Sequence, residues 1–325
     1  RGHGMSTAIG FFKRQFLPLG LLTVACVGIL RPEPGMFMGR LPTQYVAVSI
    51  IFVCSGLMLR TDEMHAAFSA WRATAWGGLS ILLLTPVIGA TLAFQAPVEA
   101  SFQLGLALFC CMPTTLTSGV ALTSQARGNT ALALLLTVLT NTVGIFTVPF
   151  VLAHLLDAIG QVELSGADLL LKLCLTILLP LSIGRYLRRF LADRVDRSRS
   201  RISTISNVAL ISIPWMKFSE SSTRLAEVNA TSLAILVVSG LAIHGFYLLL
   251  NYGVTRSMRL AIPERKAVVL LASQKTLPVA MTVLALIPDS AIAPEMKGLM
   301  AIPCITFHFG QIFLDALLAT RWSHR

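Results

Sequence analysis

The chain has 325 residues, of which 55% are hydrophobic and only 13% charged, and it carries a formal net charge of +11. A soluble domain carries about 25% charged residues. With a mean hydropathy of +0.75 and charges that avoid the long apolar stretches, a soluble enzyme is excluded and a bilayer protein is indicated.

In chain order, apolar segments occupy 16–30, 43–59, 73–95, 101–124, 131–155, 168–186, 203–217, 230–251, 266–287 and 296–319. Most approach the roughly 20 residues needed to span a bilayer. Ten segments split five plus five, and an odd number per half turns the second half upside down, the inverted repeat of secondary transporters. The sequence thus predicts an all-α polytopic membrane protein of about ten transmembrane helices. Residues 1–160 form the first inverted repeat and 161–325 the second, with the boundary near 156–167.

The fourth segment is interrupted by Cys111-Met112-Pro113-Thr114-Thr115-Leu116-Thr117-Ser118-Gly119. Pro113 removes a helical donor and clashes with the preceding turn. Thr114, Thr115, Thr117 and Ser118 supply hydroxyls, and Gly119 permits close backbone approach. Such a break survives in lipid only where it lines a protein-enclosed cavity. Freed carbonyls and hydroxyls suit sodium or a polar solute, and freed N–H groups at a half-helix start suit an anion. The plainer reading is a proline kink around which Thr and Ser bond back to their own helix. In the fifth segment Thr137 and Asn141 share a face, and the Asn needs a partner, in the site or across helices.

The ninth segment is interrupted by Ser273-Gln274-Lys275-Thr276-Leu277-Pro278. Pro278 follows Pro113 by 165 residues, about half the chain. Matched breaks in two halves are the best sequence pointer to a transporter's substrate site, so both helices are expected to break near midplane and cross there, with Pro113 close to Pro278. Lys275 lies deep in its segment, where an ionised Lys costs roughly 2.5–3.5 kcal/mol on insertion scales. It requires a counter-charge or a watery cavity, with Gln274 and Thr276 beside it to solvate the ammonium or a substrate; otherwise it snorkels to an interface. We expect the ammonium to face the cavity at the crossing. In the tenth segment His308, Gln311 and Asp315 share a face, as a proton relay or as a surface packed on the broken helices. His244 in the eighth segment reads as a packing residue.

With the N-terminus on the cytoplasmic or stromal side, nineteen Lys and Arg fall inside, among them Lys13, Arg14 and the run from Arg185 to Arg201. Five fall outside: Arg31, Arg40, Lys217, Arg224 and Lys297. This is the positive-inside pattern, with both termini inside. The net charge is then explained by topology and lipid headgroups, and no basic module for nucleic acid is present. The six cysteines all lie in apolar segments without metal-ligand spacing and read as small packers. Neither a Walker loop, a nucleophile elbow nor an HExxH motif occurs, which argues against an ATP-driven pump and against an enzyme. The chain begins at Arg1, as a fragment or a processed product does.

Cys-Met-Pro-Thr-Thr-Leu-Thr-Ser-Gly-Val at 111–120, Ala-Arg-Gly-Asn at 126–129 and Ser-Gln-Lys-Thr-Leu-Pro-Val at 273–279 resemble the bile acid:sodium symporter family. The likeness is greatest to its divergent branch, which includes solute carrier family 10 member seven and a plastid sodium/metabolite cotransporter. The resemblance covers nearly the whole chain. It implies ten helices, with the first, second, sixth and seventh as a panel and the third to fifth and eighth to tenth as a core where the broken helices cross. It also implies sodium entry coupled to uptake of an organic anion. By the family's pattern a sodium-binding Ser-Asn pair falls on Ser118 and Gly119, and a sodium-binding hydroxyl on Thr137. The family's acidic sodium ligand is replaced by Gln274 and Lys275, and its Gln ahead of the third-helix proline is replaced around Ile81, before Pro86. The resemblance thus implies at most one weak sodium site, at Ser118 and Thr137, with the Lys275 ammonium in place of a second cation.

The expected function is sodium-coupled symport of a small organic anion by alternating access. The residues expected to bind substrate or ion are Pro113, Thr114, Thr115, Thr117, Ser118, Thr137, Asn141, Gln274, Lys275, Thr276, His308 and Gln311. The alternatives are a proton-coupled carrier using Lys275 and Asp315, a membrane regulator of ion (for example calcium) homeostasis, and a channel, for which no charged or carbonyl ring is evident. Expected partners are the anion, sodium or a proton, and the bilayer of a plasma membrane or plastid envelope, with a homodimer left open. No cofactor beyond the coupling ion is expected.

Overall fold

The computed structural model describes residues 16–59, 69–158 and 165–324, and no strand occurs among them. Helices are what lipid demands, because each satisfies its own backbone. They are α1 (Phe16–Leu30), α2 (Pro32–Arg40), α3 (Thr43–Met58), α4 (Trp71–Gln95), α5 (Ala100–Cys110), α6 (Ser118–Gln125), α7 (Thr130–Ala158), α8 (Gly166–Arg197), α9 (Arg199–Glu220), α10 (Ser222–Ala226), α11 (Ala230–Ser257), α12 (Ile262–Ser273), α13 (Leu277–Leu286) and α14 (Pro294–Ser323).

Each apolar segment lies in one of these helices or, for the fourth and ninth, across the pairs α5–α6 and α12–α13. Six stretches among the described residues are long and apolar enough to cross a membrane: α4, α7, α8, α11, α12 with α13, and α14. The pair α1–α2, bent by 98°, makes a seventh. The protein is therefore an integral membrane protein. The expected ten crossings exceed this number because α3 and α5 are short and α9 opens on Arg199 and Arg201. Part of the expected boundary between halves, 159–164, lies outside the described residues, as do Lys13 and Arg14.

Two layers form. In one, α3 packs on α8 and α9, while α9 also covers α1 and α2. In the other, α5 packs on α4 and α14, α11 on α12 and α14, and α12 on α4, α6 and α7. The layers meet where α7 touches α8 and α9 touches α14. Within the first layer, a Cβ on Gly56 would strike the backbone of Leu181, and one on Gly184 would strike the backbone of Val53. The α3 and α8 backbones therefore touch directly, as small residues allow in membranes. In α4 the turn Ser80–Leu84 widens to a π-helix just before Pro86, a local change that positions the site below.

Candidate functional site

The first break, 111–117, follows from Pro113, which has no N–H for the carbonyl of Phe109. Four successive carbonyls then find donors on other elements. Met112 O accepts from Lys275 Nζ at 2.9 Å, Pro113 O from Thr276 N at 3.0 Å, Thr114 O from Asn141 Nδ2 at 3.0 Å, and Thr115 O from Thr137 Oγ1 at 3.5 Å. Asn141 Nδ2 also donates to Thr137 O at 2.9 Å. Thr115 Oγ1 accepts from Gly119 N at 3.0 Å, closing the start of α6.

The second break, 274–276, is matched to the first. Thr114 Oγ1 donates to Leu271 O at 2.5 Å. Gln311 on α14 clasps Lys275 from both sides: its Oε1 accepts from Lys275 N at 2.9 Å, and its Nε2 donates to Lys275 O at 2.7 Å. Gln311 Nε2 also faces His308 Nδ1 at 3.2 Å, so that ring nitrogen accepts and its proton sits on Nε2. Thus the carbonyls of 112–115 and 271, and the Lys275 and Thr276 backbone, are answered by the other break, by α7 and by α14, as buried backbone requires.

The Lys275 side chain is fully buried. Its ammonium donates to Ile81 O at 3.1 Å, Thr85 Oγ1 at 2.9 Å and Met112 O at 2.9 Å, and it lies 5.9 Å from the centroid of the Tyr247 ring. The Ile81 carbonyl is available because, in the π register, its donor would be residue 86, a proline. The expectation that this ammonium opens onto a cavity is corrected: an ammonium has three donors, and all three are spent on oxygens inside the protein.

Asp315 and His244 belong to the crossing as well. Gln274 Nε2 donates to Asp315 Oδ2 at 2.6 Å, while Gln274 Oε1 accepts from Thr115 Oγ1 at 2.6 Å and stands 3.5 Å from Ser118 Oγ. Asp315 Oδ1 lies 2.9 Å from His244 Nε2, and His244 Nδ1 lies 3.1 Å from Ser273 O. Both side chains are fully buried. The sequence reading of His244 as a packing residue missed this pairing; its only advance signal was an imidazole deep in an apolar helix.

Two cavities lie at the layer interface, one beside the first break and the other at the far end of α13. One, of about 320 Å³, is lined by Ser55, Thr117, Thr137, Asn141, Thr142 and Arg199 among mostly apolar neighbours. The other, of about 450 Å³, is polar and is lined by Arg40, Lys172, Lys217, Glu220 and Asp289, with Lys217 paired to Glu220 at 2.8 Å. Of the residues expected to bind substrate or ion, Thr117, Thr137 and Asn141 line the first cavity and Ser118 adjoins it. Pro113 faces a small apolar void beside Asn141. Thr114, Thr115, Gln274, Lys275, Thr276 and Gln311 are enclosed in the crossing, and His308 is nearly so. Asn141 Oδ1 is buried without a donor, as are the hydroxyls of Thr140, Ser273 and Thr276.

The sequence family described as SBF-like CPA transporter matches residues 15–324. The chain is 35% identical over 331 residues to a probable sodium/metabolite cotransporter BASS4, chloroplastic, of Oryza sativa subsp. indica, covering 98% of this chain and 77% of the relative. It is 27% identical to the putative symporter YfeH of Escherichia coli (strain K12), covering 94% and 92%. To the sodium/bile acid cotransporter 7 of Danio rerio it is 25% identical, covering 94% and 93%.

Proposed function

Because the chain belongs to the SBF-like CPA transporter family, whose members are transporters and not enzymes, we propose that it carries a small organic anion across a membrane by sodium-coupled symport. The observation that carries this reading is the meeting of two broken helices at Thr276 N and Pro113 O, with a cavity of about 320 Å³ beside the first break at the layer interface. Chains broken at depth are tolerated where they serve a substrate or ion path. The names of the relatives support sodium as the coupling ion and an organic solute as cargo.

For sodium, the fitting atoms are neutral oxygens beside the first break: Asn141 Oδ1, buried and without a donor, with the hydroxyls of Thr137 and Ser118. A hard cation accepts such oxygens, and an unpaired buried acceptor is stabilised by one. The substrate then occupies the 320 Å³ cavity, whose mostly apolar walls favour an anion with an apolar body and at whose rim Arg199 shares Asp196 with Arg188, two positive charges on one carboxylate. In this reading the layer containing α1, α3, α8 and α9 is the panel, the other layer is the core, and the chain crosses ten times as an inverted repeat with the 320 Å³ cavity on the positive side. Rocking of core against panel exposes the site alternately.

The test is radioactive sodium binding to the purified protein, together with uptake of a panel of small organic anions into liposomes under an imposed sodium gradient. Thr137→Ala and Asn141→Ala are each expected to weaken sodium binding at least tenfold, about 1.4 kcal/mol. Unchanged binding in both variants places the ion elsewhere.

A further inference from the structure

We propose that His244 and Asp315 form a proton-binding site whose occupancy sets the geometry of the second break. The argument is one of donors and acceptors. His244 Nδ1 faces the carbonyl of Ser273 at 3.1 Å, and Nε2 faces a carboxylate oxygen of Asp315 at 2.9 Å. A carbonyl only accepts, and an ionised carboxylate only accepts. The pair therefore holds two protons, either both on the imidazole or one on the ring and one on the acid.

Removing one proton leaves no good arrangement. If the remaining proton is on Nδ1, the bare Nε2 confronts the carboxylate. If it is on Nε2, the bare Nδ1 confronts Ser273 O. Either way a net negative charge stays in a site with no exposed surface, where an uncompensated charge is costly. The element that can yield is the break itself, because Ser273 ends α12 and Gln274, bound to the other Asp315 oxygen at 2.6 Å, is its first residue. Gln274 in turn holds Thr115 in the first break, so proton loss is transmitted to both broken helices. By linkage, any state of the crossing that moves Ser273 or Gln274 binds this proton with a different affinity.

The surroundings leave this pair as the ionisable unit at that point. On the second break, Lys275 directs its ammonium away to Ile81, Thr85 and Met112. On α12, Lys266 is held by the carbonyls of Ala126 and Trp322 at 2.8 and 3.0 Å. On α4, Arg72 is held by Met258 O at 3.1 Å. On α11, Tyr247 donates to Thr85 O at 2.6 Å. His308 on α14 is occupied by Gln311, and α5 offers the Cys110 and Cys304-facing end of its helix with no charge. Helices α6 and α13 carry no ionisable side chain. Lys217 and Glu220 at the end of α9 and Arg224 on α10 lie toward the opposite end of α14, where Ser221 meets Pro294, and at the start of α9 Arg199 is held by Asp196 and Met58 O.

The proposal rests on the transporter reading only in treating the crossing as a moving part; it needs neither sodium nor an identified substrate. The probe is the proton itself. Purified protein carrying isotope-labelled histidine, in lipid and sodium-free choline buffer, is followed by nitrogen NMR between about pH 5 and 9, the range that brackets ordinary imidazole titration. The His244 signal is assigned by its loss in His244→Gln. The expected result is a reversible change of that ring's nitrogen shifts as the pair passes from two protons to one, whichever partner carries the second, with faster amide exchange over 273–280 in the one-proton form after correction for intrinsic rates. Asp315→Asn is expected to leave one proton on the ring throughout and the exchange independent of pH. A wild-type ring whose nitrogen shifts stay constant across the range overturns the proposal, as does a titration that leaves exchange at 273–280 unchanged. If Asp315→Asn does not fold, the wild-type titration alone decides. A protein that titrates as described but binds no sodium overturns the sodium reading and leaves this one standing.

Discussion

At position 275 an ammonium with three donors meets three oxygens and no carboxylate. Two carbonyls and a hydroxyl are also oxygens that a bare cation takes, and we propose the side chain as a tethered substitute for an ion. Lys275→Ala removes the tether and leaves the oxygens. Sodium, compared with choline, is then expected to raise the melting temperature of the variant more than that of wild type, by about 2 °C or more for a gain near 1 kcal/mol. Equal shifts in both proteins would mean that the three oxygens serve only the lysine. That Lys275 is buried was legible from its depth in an apolar segment; what it touches was not. Ile81 O is free only because a π turn coincides with Pro86, and a π turn leaves no mark in hydrophobic periodicity. The His244–Asp315 pair was equally hidden, since 71 residues separate its members and each alone has an ordinary packing explanation.

At the level of the helix, the apolar segments located the helices closely because lipid enforces a single local solution. The ends were less legible. Helix α8 runs on to Arg197, well past the apolar stretch ending near 186, since Val195 is buried and Arg188 finds Leu57 O at 2.6 Å and Asp196 at 3.2 Å along a run of mixed charged and apolar residues. The breaks were legible from proline and hydroxyl clusters, whereas their mutual hydrogen bonding required the fold. Gln311 is the support that the second break depends on most. Gln311→Leu leaves Lys275 N and O without partners, at about 1–3 kcal/mol for each buried group. Thermal unfolding in detergent is expected to show a loss of roughly 2–6 kcal/mol, whereas His308→Leu, which gives up one contact to Gln311, is expected to lose far less. Comparable losses in both would show that the clasp adds little beyond packing.

For the molecule as a whole, the two cavities lie toward opposite ends of α3 and α9, one beside Met58, Thr142 and Arg199 and the other beside Gln44 and Lys217. If α3 and α9 both cross the membrane, these cavities open to opposite compartments. In sealed vesicles of uniform orientation, cysteine at Thr142 and cysteine at Gln44 are expected to react with a membrane-impermeant thiol reagent from opposite sides. Labelling of both from the same side is incompatible with α3 and α9 each crossing the membrane.

The contact between Gly56 and Gly184 bears on this motion mechanically. Where side chains interdigitate, two helices slip past one another by changing rotamers, and the joint is compliant. Here backbone rests on backbone, with each glycine seated against the main chain of the other helix, and a shift along the axis would drive main-chain atoms into one another. The joint between α3 and α8 therefore resists shear as a dowelled joint does, and those two helices move as one plank. The slip that any rocking needs is left to the seams where α7 rides on α8, where α9 rides on α14, and where α13 meets α3, α8 and α9.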